Sequence, residues 1–345
     1  MNEQIAPVDD AAAIAPRPPK AGLVNRVGMD KFSALYLWAG FMVFFGITQN
    51  QFLSSVSLHI VLTDRAIIVA LLALAFLVPL ATNTFDLSIG SVMSLALCVS
   101  ITVAKNFPHL PQVVCMLIAL AICVLVGVAN GFVVVRLGVN SFIATLGMSQ
   151  LVTAAILWES GNRQITNVLT KAYRNIGKKE ILGFPLYFYY TLIIAAAIWF
   201  VFEHTPLGRY LFATGGNREA ARLSGVKVDR LTWMSLIFSS LIAGFAGIVF
   251  SWRTPIFSSS TGPGYLFPAI AAVFFGASQL KGRPNVWGTM IAVYALAFGI
   301  KGLQLTFDAG TYWIEPLFEG TSLLVAVAFA SRHNIVRVPR RKSRA

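Results

Sequence analysis

The chain has 345 residues, 57% of them hydrophobic and 12% charged, with a formal net charge of +13. Such a hydrophobic share excludes a soluble globular domain and marks an all-α, multi-pass membrane protein. A nucleic-acid binder is excluded as well, because Lys and Arg sit in short gaps between apolar segments, where membrane topology puts them.

Residues 1–31 are polar and include Pro16-Arg17-Pro18-Pro19-Lys20. They lack the apolar stretch of a signal peptide and read as a disordered cytoplasmic tail. Residues 32–332 read as the membrane domain. About ten apolar segments recur there, close to the 20-residue length that crosses a hydrocarbon core. They lie near 33–49, 66–83, 86–105, 113–135, 141–159, 186–204, 231–252, 265–280, 286–306 and 311–331. Only a tight break parts the second from the third, so one long span plus a re-entrant piece fits the same residues. Residues 333–345, ending in RVPRRKSRA, read as a basic cytoplasmic tail beside anionic membrane lipid.

With both termini inside, the inner segments carry 18 of the 27 Lys and Arg residues, as the positive-inside rule requires. One outer loop breaks the rule with Arg163, Lys171, Arg174, Lys178 and Lys179. Cys98, Cys115 and Cys123 lie in apolar segments without metal-ligand or disulfide spacing, and the four histidines form no cluster. No metal site, nucleotide-binding loop or catalytic constellation is expected.

The long inner loop contains TGGNREAARLSGVKVDR, residues 214–230. Asn217 is placed to cap a short helix, Glu219 suits its positive end, and Gly225 is a natural stop. Ala220, Ala221 and Leu223 give it a small apolar face. About two turns are unstable alone in water, so this helix needs a surface to rest on. Lipid headgroups are one such surface. A soluble partner is the other, and it fits a compact helix between two spans better. A phosphate cradle is disfavoured, since no Lys-Ser/Thr follows the glycines.

At these residues the chain resembles the permease subunits of ATP-binding-cassette importers for monosaccharides, the ribose, xylose and galactose type. The likeness runs over roughly 35–332 and rests on FDLSIGS (85–91), NGFVVVRLGVNSFIATLGM (130–148), GRYLFATGGNREAARLSGVKVDR (208–230) and AIAAVFFGASQLKGRPNVWGT (269–289). It implies that the helix at 217–225 docks on a cytoplasmic ATPase through Gly215, Gly216, Asn217, Ala220, Ala221, Arg222, Leu223, Ser224 and Gly225. Arg218 and Glu219 are added here as surface contacts. It further implies ATP and magnesium on the partner ATPase subunits and no cofactor on this chain. A second permease copy or a paralogue would complete the path, and an extracytoplasmic solute-binding protein would dock on the outer face, where Arg163, Lys171, Arg174, Lys178 and Lys179 stand ready to receive it.

Polar residues within the apolar segments mark the candidate path. Asp86 either caps the third helix together with Ser88 or lines the path, and Asn83 carries the same two readings. Asn130, Thr145 and Gln150 either bond between helices or face a sugar. Phe142 offers a face for sugar stacking, or plain packing. Glu315 and Glu319, one turn apart, have no evident partner of opposite charge. With Asp86, Glu319 would serve the rival reading, an ion-coupled secondary transporter of a small polar solute. The expected localisation is the bacterial plasma membrane.

Overall fold

The computed structural model describes residues 33–166, 168–279, 283–307 and 313–334. The tail expected at 1–31, and the basic tail expected beyond Asn334, lie outside these residues.

Helices make up nearly all of the described structure. In chain order they are α1 (Ser33–Thr48), α2 (Ser55–Thr63), α3 (Arg65–Leu80), α4 (Ile89–Asn106), α5 (Gln112–Gly131), α6 (Ser141–Ser160), α7 (Lys171–Lys178), α8 (Leu186–His204), α9 (Pro206–Gly216), α10 (Arg218–Leu223), α11 (Val228–Arg253), α12 (Leu266–Gln279), α13 (Val286–Thr306) and α14 (Ile314–Asn334). Two minimal antiparallel strand pairs accompany them: β1 (Ile165–Thr166) with β4 (Ile256–Phe257), and β2 (Glu180–Ile181) with β3 (Phe184–Pro185). Seven helical stretches among the described residues are long and apolar enough to cross a membrane. Three further helices, α1, α12 and α14, match the remaining apolar segments.

The sequence foresaw these segments to within a few residues. It missed α2, which runs almost straight into α3 and is parted from it only by Asp64 at φ −92°, ψ −116°. The second and third segments are two helices, not one long span.

Hydrophobicity all round a helix means burial on all sides. The helix α3 obeys this: every residue from Ala66 to Pro79 is buried. It packs against α11, α12 and α13 at the centre, while α11 also packs along α4 and α5. Small residues bring α5 and α11 together, since a methyl group on Gly127 would lie 2.8 Å from the Ile237 Cα. The peripheral helices differ: 6 of the 20 residues of α5 and 5 of the 20 of α6 are buried, against 14 of the 18 of α4. Their outward faces meet lipid or another subunit.

The chain crosses the bundle repeatedly, so its two ends are distinguishable. The end holding α9, α10 and the start of α11 is here called proximal, and the other distal. Two helices are interrupted inside the bundle. Pro79 ends α3, and residues 81–88 run irregularly before α4 begins. On the distal side, residues 254–265 dip inward before α12 starts. There the Gly262 N–H donates to Ser94 Oγ at 2.8 Å, and the Tyr265 ring lies 6.2 Å from that of Phe250.

Candidate coupling helix and buried polar junction

At the proximal end the sequence builds two short helices where one was expected. The first, α9, starts at Thr205, whose hydroxyl accepts from the Gly208 N–H, with Pro206 in its first turn. Gly208, Leu211 and Thr214 are buried, and the helix continues through Gly215 and Gly216 to its end. The buried face carries the helix through the two glycines, which sequence reading placed in a loop. Asn217 then breaks it with an extended backbone, and its Oδ1 accepts from the Ala220 N–H at 3.0 Å. The second helix, α10, is stopped by Gly225 at φ +83°, a left-handed conformation that glycine adopts without strain.

Six residues do not hold a helix in water. Asp229 at the start of α11 supplies the hold: it accepts from Arg218 at 2.7 Å and from Arg222 at 3.2 Å. Arg218 also donates to Thr232 Oγ1 at 3.2 Å. Arg218 is thus a tether to α11, with part of its side chain still exposed. Glu219 faces solvent, 4.0 Å from Arg222. Ala221 is buried beneath the helix, while Ala220, Ser224 and Leu223 are exposed. Leu223, an apolar side chain, is 88% exposed at the tip.

The helix α9 lies directly on the first interruption. A methyl group on Gly215 would overlap the Ala81 carbonyl oxygen and lie 3.1 Å from the Asn83 nitrogen. From there the chain climbs into the bundle, where irregular backbone must find partners away from water. Side chains of α6 supply two of them. The Phe85 N–H donates to Ser141 Oγ at 3.1 Å, and the Leu87 N–H to Thr145 Oγ1 at 3.0 Å. Asp86, fully buried, supplies a third by accepting from the Ser88 N–H at 3.0 Å.

Neither side chain caps the first turn of α4: Asp86 instead holds the backbone of Ser88 just ahead of it. The Ser88 hydroxyl donates to Asp86 Oδ1 at 2.6 Å and accepts from Asn130 Nδ2 of α5 at 2.9 Å. Ser239, in the middle of α11, lies beside the Asp86 carboxyl. The outer oxygen of Asp86, Oδ1 of Asn130 and the hydroxyls of Ser239 and Ser240 are buried without a partner at hydrogen-bond distance. Each such atom costs about 1–3 kcal/mol unless something completes it. The structure thus joins Asp86, Ser88, Asn130 and Thr145 in one polar junction. It leaves Asn83, Gln150 and Phe142 outside, all exposed, Phe142 at 49%. The serines of α11 were missed, because a serine in an apolar helix carries no distinguishing pattern.

At the distal end, α7 is capped by the Thr170 hydroxyl and pinned by Tyr173, whose phenol lies 3.1 Å from Ser251 Oγ. Burial pushes that phenol up to about 12, so it stays protonated there. Arg163, Lys171, Lys178 and Lys179 are exposed around it, and Arg174 is half-buried. Glu319 is not unpaired as the sequence suggested: Arg65 holds Glu315 at 2.6 Å and Glu319 at 3.0 Å. No cluster of three metal-ligating side chains occurs among the described residues.

A helical membrane bundle with interrupted spans, and with a tethered helix exposing an apolar tip at one end, defines a transport permease. The sequence model of a family described as branched-chain amino acid transport system / permease component matches residues 59–329, and the chain belongs to that family. It is similar to a ribose import permease protein of Haemophilus influenzae, 30% identical over 246 residues, covering 70% of this chain and 75% of the relative. It is also similar to a fructose import permease protein of Rhizobium meliloti, 30% identical over 298 residues, covering 83% of this chain and 81% of the relative. An autoinducer 2 import system permease protein of Salmonella typhi is 30% identical over 291 residues, covering 84% and 82%. The chain is a non-catalytic subunit of an importer, as its four sequence motifs indicated.

Proposed function

We propose that this chain forms the membrane path of an ATP-driven importer for a monosaccharide or small polyol, in a bacterial plasma membrane. The observation that carries the reading is α10: a tethered helix whose only large apolar side chain, Leu223, points away from its own bundle. An apolar tip with no internal contact suits a cleft on another subunit. That subunit is a cytoplasmic ATPase, which holds the ATP and magnesium, and Gly215–Gly225 form the coupling element. The proximal end and both termini are then cytoplasmic.

The relatives' names favour a sugar, and the polar junction agrees. Neutral hydroxyls on a solute would complete the partnerless atoms at Asp86, Asn130, Ser239 and Ser240. On this reading Asn83, Phe142 and Thr145 would stand along the solute's way to them. A second permease copy or a paralogue would close the path, and a solute-binding protein would dock at the basic distal loop. Transport proceeds by alternating access, ATP binding and hydrolysis stabilising one state over the other in turn. The rival, an ion-coupled transporter using Asp86 and Glu319, has less support, since Glu319 is engaged by Arg65.

The test is a pull-down of the tagged chain from its native membrane beside an Ala220→Asp/Leu223→Asp variant. A stoichiometric ATPase is expected with the wild type and not with the variant. A wild type that brings down no ATPase refutes the reading.

A further inference from the structure

Where α5 ends, its last turn widens into a π-helical turn, Phe132–Arg136. Between that turn and the first turn of α11 the proximal surface opens into a cavity of 660 Å³. Arg136, Arg222, Lys227 and Arg230 line it, against one carboxylate, Asp229. That carboxylate is already bridged by Arg218 and Arg222. Among the described residues, Arg136, Lys227 and Arg230 have no carboxylate within ion-pair reach. Three cations facing one concavity, with their nearest acid spent, attract an anion.

The positions are built. Arg136 stands over the Trp233 ring, 6.0 Å from its centroid. The ring is itself fixed, its indole N–H donating to the Val128 carbonyl at 3.1 Å. Gly131 leaves the room for it, as a methyl group there would overlap the indole.

The surroundings identify the kind of anion. Phe132 and Leu137, beside Arg136, are 48% and 61% exposed. Met234 and Phe238 follow Arg230 at four and eight residues, on one helical ridge. They are 40% and 47% exposed and lead into a crevice of 260 Å³ lined by Leu231, Ile242, Ile194 and Ile198. Cations beside an apolar ridge that runs on along the same membrane helix match an amphiphile. Inorganic phosphate would use only the first, and an acidic loop of a protein would have no use for the second.

We propose that this cavity binds the headgroup of an anionic phospholipid, with Arg136, Lys227 and Arg230 on its phosphate and an acyl chain along the Met234–Phe238 ridge. Basic pockets between membrane helices are suited to such headgroups. The site stands on the membrane assignment alone; the reading of the proximal end as cytoplasmic decides only which leaflet supplies the lipid. Its neighbour α10 gives it a use: a lipid seated there would brace the start of α11, to which α10 is tethered.

The full-length chain, purified in neutral detergent, is titrated with phosphatidylglycerol, phosphatidylcholine or inorganic phosphate and read by native mass spectrometry. Wild type is expected to retain phosphatidylglycerol at least roughly tenfold better than phosphatidylcholine, and excess phosphate should not displace it. Arg136→Gln/Arg230→Gln loses that preference, by roughly tenfold or more, whereas Lys105→Gln at the distal end keeps it. If the double variant does not fold, the exposed Lys227→Gln carries the same comparison with a smaller loss. Equal retention by wild type and variants overturns the proposal. So does displacement by inorganic phosphate, which would define a simple anion site. So does loss of a co-purifying ATPase with lipid retention unchanged, which would define a protein contact.

Discussion

At the scale of single residues, Asp86 shows what one buried carboxylate can organise. It was conspicuous in the sequence because an acid in an apolar run is costly unless something pairs it. Its surroundings were less visible. Ser88 and Thr145 fall in motifs, but Ser239 comes from a helix whose many serines look alike. Arg65 illustrates the same limit more sharply, since it meets Glu315 and Glu319 from the far end of the chain. Pairings across such separations are set by packing and leave no local mark. Because Asp86 Oδ1 accepts two hydrogen bonds from Ser88, the amide oxygen of an Asp86→Asn variant keeps both acceptor roles. Asp86→Ala strands the Ser88 N–H inside the bundle, at about 1–3 kcal/mol. Thermal unfolding in detergent should therefore rank Ala well below Asn. Equal melting of the two variants would mean that the bond from the Ser88 N–H to residue 86 does not matter.

At the scale of elements, length and hydropathy gave the spans, and capping residues gave α10. Besides α2, three things escaped. The short α7 is held by Tyr173 and its cap more than by any periodicity. The polar, Gly- and Pro-rich run 254–265 reads as a loop, but nothing in it tells that it dips into the bundle. The helix α9 exists because one face is buried, despite two glycines at its end. Gly215 is the tightest point of that packing, with backbone against backbone at Ala81. Gly215→Val must push α9 away, an overpacking cost of about 1–3 kcal/mol, and it leaves the outward face of α10 intact. On the proposed function, the expected outcome is a chain that still brings down the ATPase but takes up its solute poorly. Loss of the ATPase instead would place Gly215 in the docking surface itself.

At the scale of the whole molecule, both ends carry cations but arrange them differently. The proximal cations are largely gathered around α10 and the first turn of α11. The distal ones, Arg163, Lys171, Lys178 and Lys179, stand exposed on and around a pinned helix. A docking protein steered by charge binds faster at low salt, and the effect fades as the Debye length shrinks from about 10 Å at 0.1 M to about 3 Å at 1 M. Reversing these four to Glu is expected to slow binding-protein association measurably at low salt and little at high salt, read by surface plasmon resonance on membrane-embedded complex. Unchanged kinetics at both salts would remove this loop from docking.

The two interruptions touch. The N-terminal turn of α4 and the dip before α12 meet where Gly90 lies against Gly262, so closely that a side chain on either would strike the other's carbonyl oxygen. Along this line the bundle is not a stack of unbroken rods: α4, 18 residues long, and α12, 14 residues long, both start from one seam. A full-height rod pivots as a whole: tilt one end outward and the other swings inward by the same lever. A seam decouples its two sides, so the upper part can stay shut while the lower part gives way. A carrier needs that independence to avoid opening both sides at once, and here it is set by two residues that have no side chain.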